Sequence, residues 1–320
     1  MDLELAPVSE DDVEAVHSLC RRWEVHWDIP EVTSVEVVRS KLFAPEVDLS
    51  VDSRAVWIEG RLVAFGLVDH APSGERLERA HLEGMVDPEY RGLGIGRRLL
   101  AWQIERAAEK LRECDPRIPW YVRTQQYEWV DDSQRLYRRF SMVPVRWFEE
   151  MIRPLSLPLD APLPANVEVV PWSEVPFEDT LRVSNESFAD HWGSTPLTAE
   201  SWQHWLSFPG MRPDLSFVAA AGSEVIGICL NAHWPDDREL SGRLDGWIVR
   251  LGVSKDWRRR GIGAALIGAS IEAFRREGFT HAALGVDADS PTGASRLYHN
   301  LGFEPLHRLV THQLEIQPEG

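Results

Sequence analysis

The apolar positions of this chain switch between two spacings, and the same switching runs through the chain twice. Helical spacing predicts helices over Ser9–Arg22 and Glu178–Ala189. Each is followed by two apolar runs parted by a glycine: Arg54–Ile58 and Leu62–Val68 around Gly60, then Ser216–Ala221 and Val225–Leu230 around Gly222. Runs parted in this way predict hairpins. A short apolar strand comes next, Leu82–Val86 in the first pass and Trp247–Val253 in the second. Then apolar residues recur one helical turn apart: Leu100, Ile104, Ala107 and Leu111, and later Ile267, Ile271 and Phe274, stopped by Gly278. A further strand (Trp120–Thr124 or Ala282–Val286), a short helix carrying Tyr137 or Tyr298, and a last strand close each half. The fold class expected is α/β, a mixed sheet with helices, used twice.

Direct self-similarity supports the repeat. VDPEYRGLGIGRRLL (86–100) aligns with VSKDWRRRGIGAALI (253–267) at an offset of 253 − 86 = 167. SQRLYRRF (133–140) aligns with SRLYHNLGF (295–303), Tyr137 with Tyr298, at 298 − 137 = 161. Between the halves, PLSLPLDAPLPA (154–165) holds prolines at 154, 158, 162 and 164. Proline fixes φ and removes a donor, so an extended, semi-rigid linker is expected there. The domains expected are 1–153 and 166–320.

A strand running into R-x-x-G-x-G and then a helix has the form of an anion cradle. Glycine lets the backbone approach a ligand, and the N–H groups of the first helical turn face it. No Gly-Lys-Ser/Thr follows, so this is not a Walker A loop, and the glycine spacing is wrong for a dinucleotide fingerprint. The alternative for a single hexad is a plain tight turn; two in register, each followed by Leu-Tyr on a helix, argue against that.

Arg91-x-x-Gly94-x-Gly96 and Arg258-x-x-Gly261-x-Gly263 resemble the acetyl-CoA pyrophosphate loop of the GNAT N-acetyltransferases, and DADSPTGASRLYHNLGF (287–303) resembles the family's second CoA motif. The resemblance covers both halves and is to tandem, mycothiol-synthase-like actinobacterial members. It implies two GNAT-like domains, each a mostly antiparallel sheet splayed at the CoA site. It implies acetyl-CoA as donor, with no metal, and direct transfer to the primary amine of a small molecule. The CoA contacts it implies are Leu251, Gly252, Val253, Arg258, Arg259, Arg260, Gly261, Ile262, Gly263 and Ala264. In the first half they are Met85, Val86, Arg91, Gly92, Leu93, Gly94, Ile95, Gly96 and Arg97. A tyrosine on the short helix would protonate the departing thiolate, Tyr298 in the second half and Tyr137 in the first.

The halves differ. Gly302-Phe303 follows Tyr298 as in the family, whereas Ser141-Met142 follows Tyr137. Glycine there suits a turn with positive φ, so Ser141 is expected to strain or reshape it. On this ground the second half is expected to be the catalytic one. The glutamate that such families often place before the hexad is Glu83 in the first half; its counterpart is 258 − 8 = 250, an arginine. Asp245 or Asp287 would have to be the second half's base, or a water relay. On the acceptor side, Asp190, His191 and Trp192 form a group suited to a cationic amine.

Composition excludes several classes. Lys+Arg number 34 against Asp+Glu 51, a net charge of −17, and neither half has a basic patch for nucleic acid or an anionic membrane. No apolar run is long enough to predict a transmembrane helix, and the acidic opening MDLELAPVSEDD is not expected to serve as a secretory signal. The three cysteines are scattered, which fits a cytoplasmic protein, and the 11 histidines show no metal-ligand spacing. A monomer or homodimer is expected. Two other functions fit the same residues: a CoA-binding sensor or scaffold with degenerate sites, and a protein or peptide N-acetyltransferase.

Overall fold

The computed structural model describes residues 4–290 and 293–318. The first half of the chain forms α1 (Val13–Trp27), α2 (Val35–Leu42), α3 (Leu49–Asp52), β1 (Ser53–Ile58), β2 (Arg61–Asp69), β3 (Glu78–Val86), α4 (Ile95–Leu111), β4 (Trp120–Tyr127), α5 (Asp131–Arg139) and β5 (Val143–Pro154). The second half forms β6 (Glu168–Pro171), α6 (Phe177–Phe188), α7 (Ala199–Leu206), β7 (Phe217–Ala221), β8 (Glu224–Ala232), α8 (Arg238–Ser241), β9 (Asp245–Val253), α9 (Ile262–Arg276), β10 (His281–Asp287), α10 (Ala294–Asn300) and β11 (Glu304–Ile316). Both predicted hairpins and both strand–hexad–helix passages are present.

The chain folds as two compact units, and they do not divide at the linker. One unit is Met1–Arg146 with Leu309–Gly320; the other is Trp147–Arg308. In the first, the strand order is β1-β2-β3-β4-β11, and Leu309–Ile316 of β11 pairs antiparallel with β4. In the second, the order is β6-β7-β8-β9-β10-β5, and Phe148–Pro154 of β5 pairs antiparallel with β10. Each unit thus takes its closing strand from the other half of the chain. A strand's alternation specifies which face is buried, not which sheet it joins, so no pattern in the sequence signals this exchange.

Each sheet is antiparallel apart from one parallel pair. β3 pairs with β4 only as far as His81↔Arg123, and β9 with β10 only as far as Leu284↔Ile248. Beyond those points Leu82–Val86 and Val249–Val253 run on without a strand on that side, so each sheet splays just ahead of its hexad. The cores sit against the helices that follow. Leu100, Ala107 and Leu111 pack with Leu82 and Val122 in the first unit; Leu266, Ile267, Ile271 and Phe274 pack with Ile248 and Leu284 in the second.

Residues 154–165 are a strap on the second unit, not a free connector. Proline-rich carbonyls there have few donors of their own chain, and two arginines supply them. Arg153 donates to the carbonyls of Pro154, Leu157 and Pro158, and Arg275 to those of Leu155 and Leu157. Ala161 then lies against α9, its Cβ 3.2 Å from where a Gly268 Cβ would stand.

Candidate active site

In the first unit the hexad closes β3 and opens α4. Gly94 caps the helix in the left-handed region, at φ 81°, and Gly92 has φ 77°. The amides of Ile95, Gly96 and Arg97 have no partner within the helix, as in any first turn. They point with the helix dipole at whatever lies beyond. Arg97 curls over the loop, its Nη2 3.5 Å from where a Gly94 Cβ would be. Arg91 hydrogen-bonds His26 at 2.8 Å, ion-pairs with Asp132, and stacks 4.9 Å over Trp27.

This loop forms one end of a cavity of about 510 Å³. Its walls are Trp23 and Trp27 of α1, Leu82, Gly84, Met85 and Val86 along the splayed part of β3, and Leu99, Leu100 and Gln103 of α4, with Thr124 and Tyr137 also lining it. Gln103 is buried and donates to the carbonyls of Leu67 and Glu83, pinning the strand beside the cavity. Tyr137 is buried, its hydroxyl 3.4 Å from Thr124 Oγ1 and its ring 5.1 Å from that of His312. Burial pushes the phenol above its ordinary range, which keeps it protonated at neutral pH.

Side chains alternate across β3, so Glu83 projects to the face opposite Leu82 and Gly84. Its carboxylate meets Lys41 Nζ of α2 at 2.9 and 3.1 Å, and this pair raises the Lys41 ammonium above its usual range. Asp69 of β2 shares that face, two residues beyond Leu67, the residue paired with Glu83. Its Oδ1 is buried without a partner, and burial, with the Glu46 and Glu83 carboxylates nearby, lifts its pKa to about 7.

The second hexad has the same backbone path and different surroundings. Gly261 caps α9 at φ 85°, but Arg259 occupies the position of Gly92, held at φ 62°. The strap passes close by: Pro162 O and Pro164 Cγ each lie 4.0 Å from where a Gly261 Cβ would stand. Arg258 donates to Val253 O and Ser187 O, and its guanidinium lies 3.6 Å from Asp190. Arg260 donates to Asp256 O and stacks over Trp257. Leu251 and Ala264 stand where the first unit has Gly84 and Arg97, and both pack on the second unit's core. Arg250, the counterpart of Glu83, hydrogen-bonds Ser184 and lies 3.8 Å over the Phe188 ring and 5.2 Å from that of Trp205. Burial lowers this guanidinium to about 10.

The expected residues therefore divide. Met85, Val86, Arg91 to Arg97 and Tyr137 come together around the first cavity. Tyr298 is buried beside Phe303, its hydroxyl driven upward by burial and then by Cys229. Asp245 is not brought to the hexad. It lies at the far end of β9, about 26 Å of extended chain from Val253 at roughly 3.3 Å per residue, and its carboxylate is held by Arg243. Asp287 is buried at the end of β10 and accepts from the Asp289 amide. Asp190 faces Arg258 and Lys255; His191 packs on Phe188, and Trp192 near Phe148. Pro291 and Thr292 of the second motif lie outside the described residues. Two residues that do not line the cavity but adjoin expected site residues, Asp69 near Glu83 and His312 against Tyr137, were not expected from the sequence. Asp69 ends an otherwise apolar strand, a signal that was available; His312 sits in the exchanged strand, so nothing local pointed to Tyr137.

Among the described residues no helix is long and apolar enough to cross a membrane. The model of the Acetyltransferase (GNAT) family matches residues 15–142 and 177–303, once per half, and both matches stop short of the exchanged strands. The chain is 30% identical over 237 residues to a mycothiol acetyltransferase of Thermobispora bispora, covering 72% of each protein. It is 27% identical over 310 residues to that of Streptomyces bingchenggensis, covering 88% of this chain and 93% of the relative. A GCN5-related N-acetyltransferase from Sphaerobacter thermophilus superposes with TM-score 0.76 at 26% identity, covering 99% of this chain and 97% of its own. A tandem GNAT protein from the clavulanic acid biosynthesis pathway shares the fold, with TM-score 0.72 at 19% identity over 100% of both chains. Two hexads on splayed sheets, one family match to each, and relatives matched along most of their length agree: this chain is an acyltransferase of the GNAT family, with two GNAT domains in tandem.

Proposed function

We propose that the protein transfers the acetyl group of acetyl-CoA directly to the primary amine of a small molecule, and that the first unit does so. The observation that carries this is the cavity running from the RGLGIG loop along the splayed strand to Tyr137. The loop amides and Arg97 suit a pyrophosphate. The unaccompanied edge of Leu82–Val86 suits the amide-bearing arm, paired as an added strand, and one of its N–H groups would polarise the thioester carbonyl. The amine attacks that carbon; the new C–N bond forms as the C–S bond breaks. Glu83, directly or through water, takes the ammonium proton, and Tyr137 returns a proton to the thiolate. Positions equivalent to all of these exist in the second unit, but Arg250, Leu251 and the strap stand in them. The relatives' name puts the amine precursor of mycothiol among the first acceptors to try, in the cytoplasm.

A second reading assigns turnover to Tyr298 in the second unit. Its support is Gly302, which takes φ 83° where Ser141 is held at φ 57°. Thiol release from acetyl-CoA over a panel of amines, with Tyr137→Phe and Tyr298→Phe beside wild type, separates the two. The first reading expects Tyr137→Phe to lower kcat by roughly 10²–10⁴ with CoA affinity kept, and Tyr298→Phe to change it little. The reverse pattern establishes the second reading. CoA binding with no release from any amine would instead favour a sensor or scaffold.

A further inference from the structure

Away from the donor cavity, three potential ligands converge inside the first unit. His70 follows β2, Glu78 opens β3, and Cys114 lies three residues past the end of α4. Glu78 Oε2 is 3.2 Å from His70 Nε2, and Cys114 Sγ is 3.8 Å from the same nitrogen. All three donor atoms lie within 4.8 Å of one another. The His70 and Glu78 side chains are 3% and 1% exposed, while Cys114 is half-buried, which leaves a way in.

The geometry distinguishes a ligand set from a proton relay. In a thiol–imidazole–carboxylate relay the two partners hold opposite ring nitrogens. Here both face Nε2, so all three groups surround one point. A tetrahedral zinc ion with bonds of about 2.0–2.3 Å needs donor separations of roughly 3.3–3.6 Å, and 3.2 and 3.8 Å bracket that range. The carboxylate is already oriented, because the amides of Ser73 and Gly74 donate to it at 2.7–3.1 Å. Such outer hydrogen bonds are what fix a metal ligand. Charge balances as well. Thiolate and carboxylate neutralise a divalent ion, and Lys110 of the adjoining helix is held by Asp52 at 2.7 Å.

We propose that His70, Glu78 and Cys114 bind one zinc ion, with water as fourth ligand, tying the 71–77 loop to the end of α4. One thiol, one imidazole and one carboxylate are a borderline-soft set, which suits zinc better than calcium or magnesium. Binding displaces the proton of the Cys114 thiol to solvent, and the imidazole carries its proton on Nδ1. The sequence hid this set, because Cys114 comes 36 residues after Glu78 (114 − 78 = 36) and no ligand motif has that spacing. The site is about 26 Å of strand from the hexad, at roughly 3.3 Å per residue, so it acts on loop and strand placement and touches no donor.

The test uses the full chain, stripped with a chelator and titrated with Co²⁺ and then Zn²⁺. Co²⁺ is expected to give a thiolate charge-transfer band that Zn²⁺ abolishes and that Cys114→Ser lacks. In the unmutated chain, Zn²⁺ is expected to slow alkylation of Cys114 at least tenfold and to raise the unfolding midpoint by about 5 °C. No thiolate band, a band retained in Cys114→Ser, or an unchanged alkylation rate overturns the proposal. The alkylation arm needs no variant, so it decides the matter even where a substitution misfolds.

Discussion

At two turns of the donor path one unit carries a side chain where the other has a glycine in the left-handed region, and the two departures fall at opposite ends of that path. In the first unit it is Ser141, at φ 57° against 83° for Gly302, in the turn after the tyrosine. In the second it is Arg259, at φ 62° against 77° for Gly92, in the anion loop itself. A non-glycine residue there costs about 1–2 kcal/mol, so the strain is comparable. The consequences are not. Ser141 is spent on a surface turn behind Tyr137, whereas Arg259 puts a side chain on the loop that must approach a ligand. The neighbours follow suit: Glu83, Gly84 and Arg97 in the first unit become Arg250, Leu251 and Ala264 in the second. The repeat keeps the same backbone path twice and surrounds it with different side chains.

The largest effect that would break this comparison is on the chemical step. Glu83→Gln is expected to lower kcat by about 10²–10³ near neutral pH. The loss should shrink as the pH rises toward the acceptor's own pKa, where the amine arrives unprotonated. A pH–rate profile that falls in parallel with wild type at every pH would remove Glu83 from proton transfer. Next in size is an import from the other unit. Gly84→Leu places the second unit's side chain over the splayed strand, where even a Cβ would stand 3.2 Å from Gln103 Oε1. CoA affinity, measured by calorimetry, should fall about 100-fold, or about 2.7 kcal/mol. Affinity that survives would mean the donor lies elsewhere.

The backbone of the site was legible from residues alone. The glycine spacing, the strand before it and the helix after it are local, and the turn strain expected at Ser141 is present at φ 57°. What sequence could not supply was occupancy by distant chain. The expectation of a catalytic second unit rests on Gly302-Phe303, and nothing local in the sequence signals obstacles at the second hexad. The obstacles are a strap brought back by Arg153 and Arg275, and an arginine stacked among aromatics of α6 and α7. Both are tertiary. Asp245 failed for a simpler reason, since strand rise alone separates it from the hexad. Asp190, read as a group awaiting a cation, already faces Arg258 and Lys255.

A smaller effect concerns Asp69, which has no counterpart charge in the second unit, where Ala232 ends β8. Its folded pKa of about 7 lies above the ordinary value near 3.9. The native state therefore keeps a proton that the unfolded chain releases between about pH 4 and 7, and stability falls as pH rises through that window. Asp69→Asn should stabilise the first unit by on the order of 2 kcal/mol at pH 8 and by almost nothing at pH 4. Urea unfolding at the two pH values measures this; equal changes at both would assign Asp69 a role other than a buried, strained acid.

The smallest effects come from the two strained turns. Ser141→Gly and Arg259→Gly each relieve about 1–2 kcal/mol of left-handed strain, offset by roughly 0.5–1 kcal/mol of added chain entropy in the unfolded state. A net gain of about 0.5–1 kcal/mol is expected from each, read as a shift in urea midpoint without a change in slope. Their functional outcomes separate the causes of the asymmetry. If strain at Arg259 alone disabled the second loop, Arg259→Gly would create a second CoA-binding event. Because Leu251 still fills the strand side and the Pro162 carbonyl still lies beside Gly261, the stoichiometry should stay where wild type has it. A second binding event in that single variant would show that one left-handed arginine, and not the packing around it, is what distinguishes the two units.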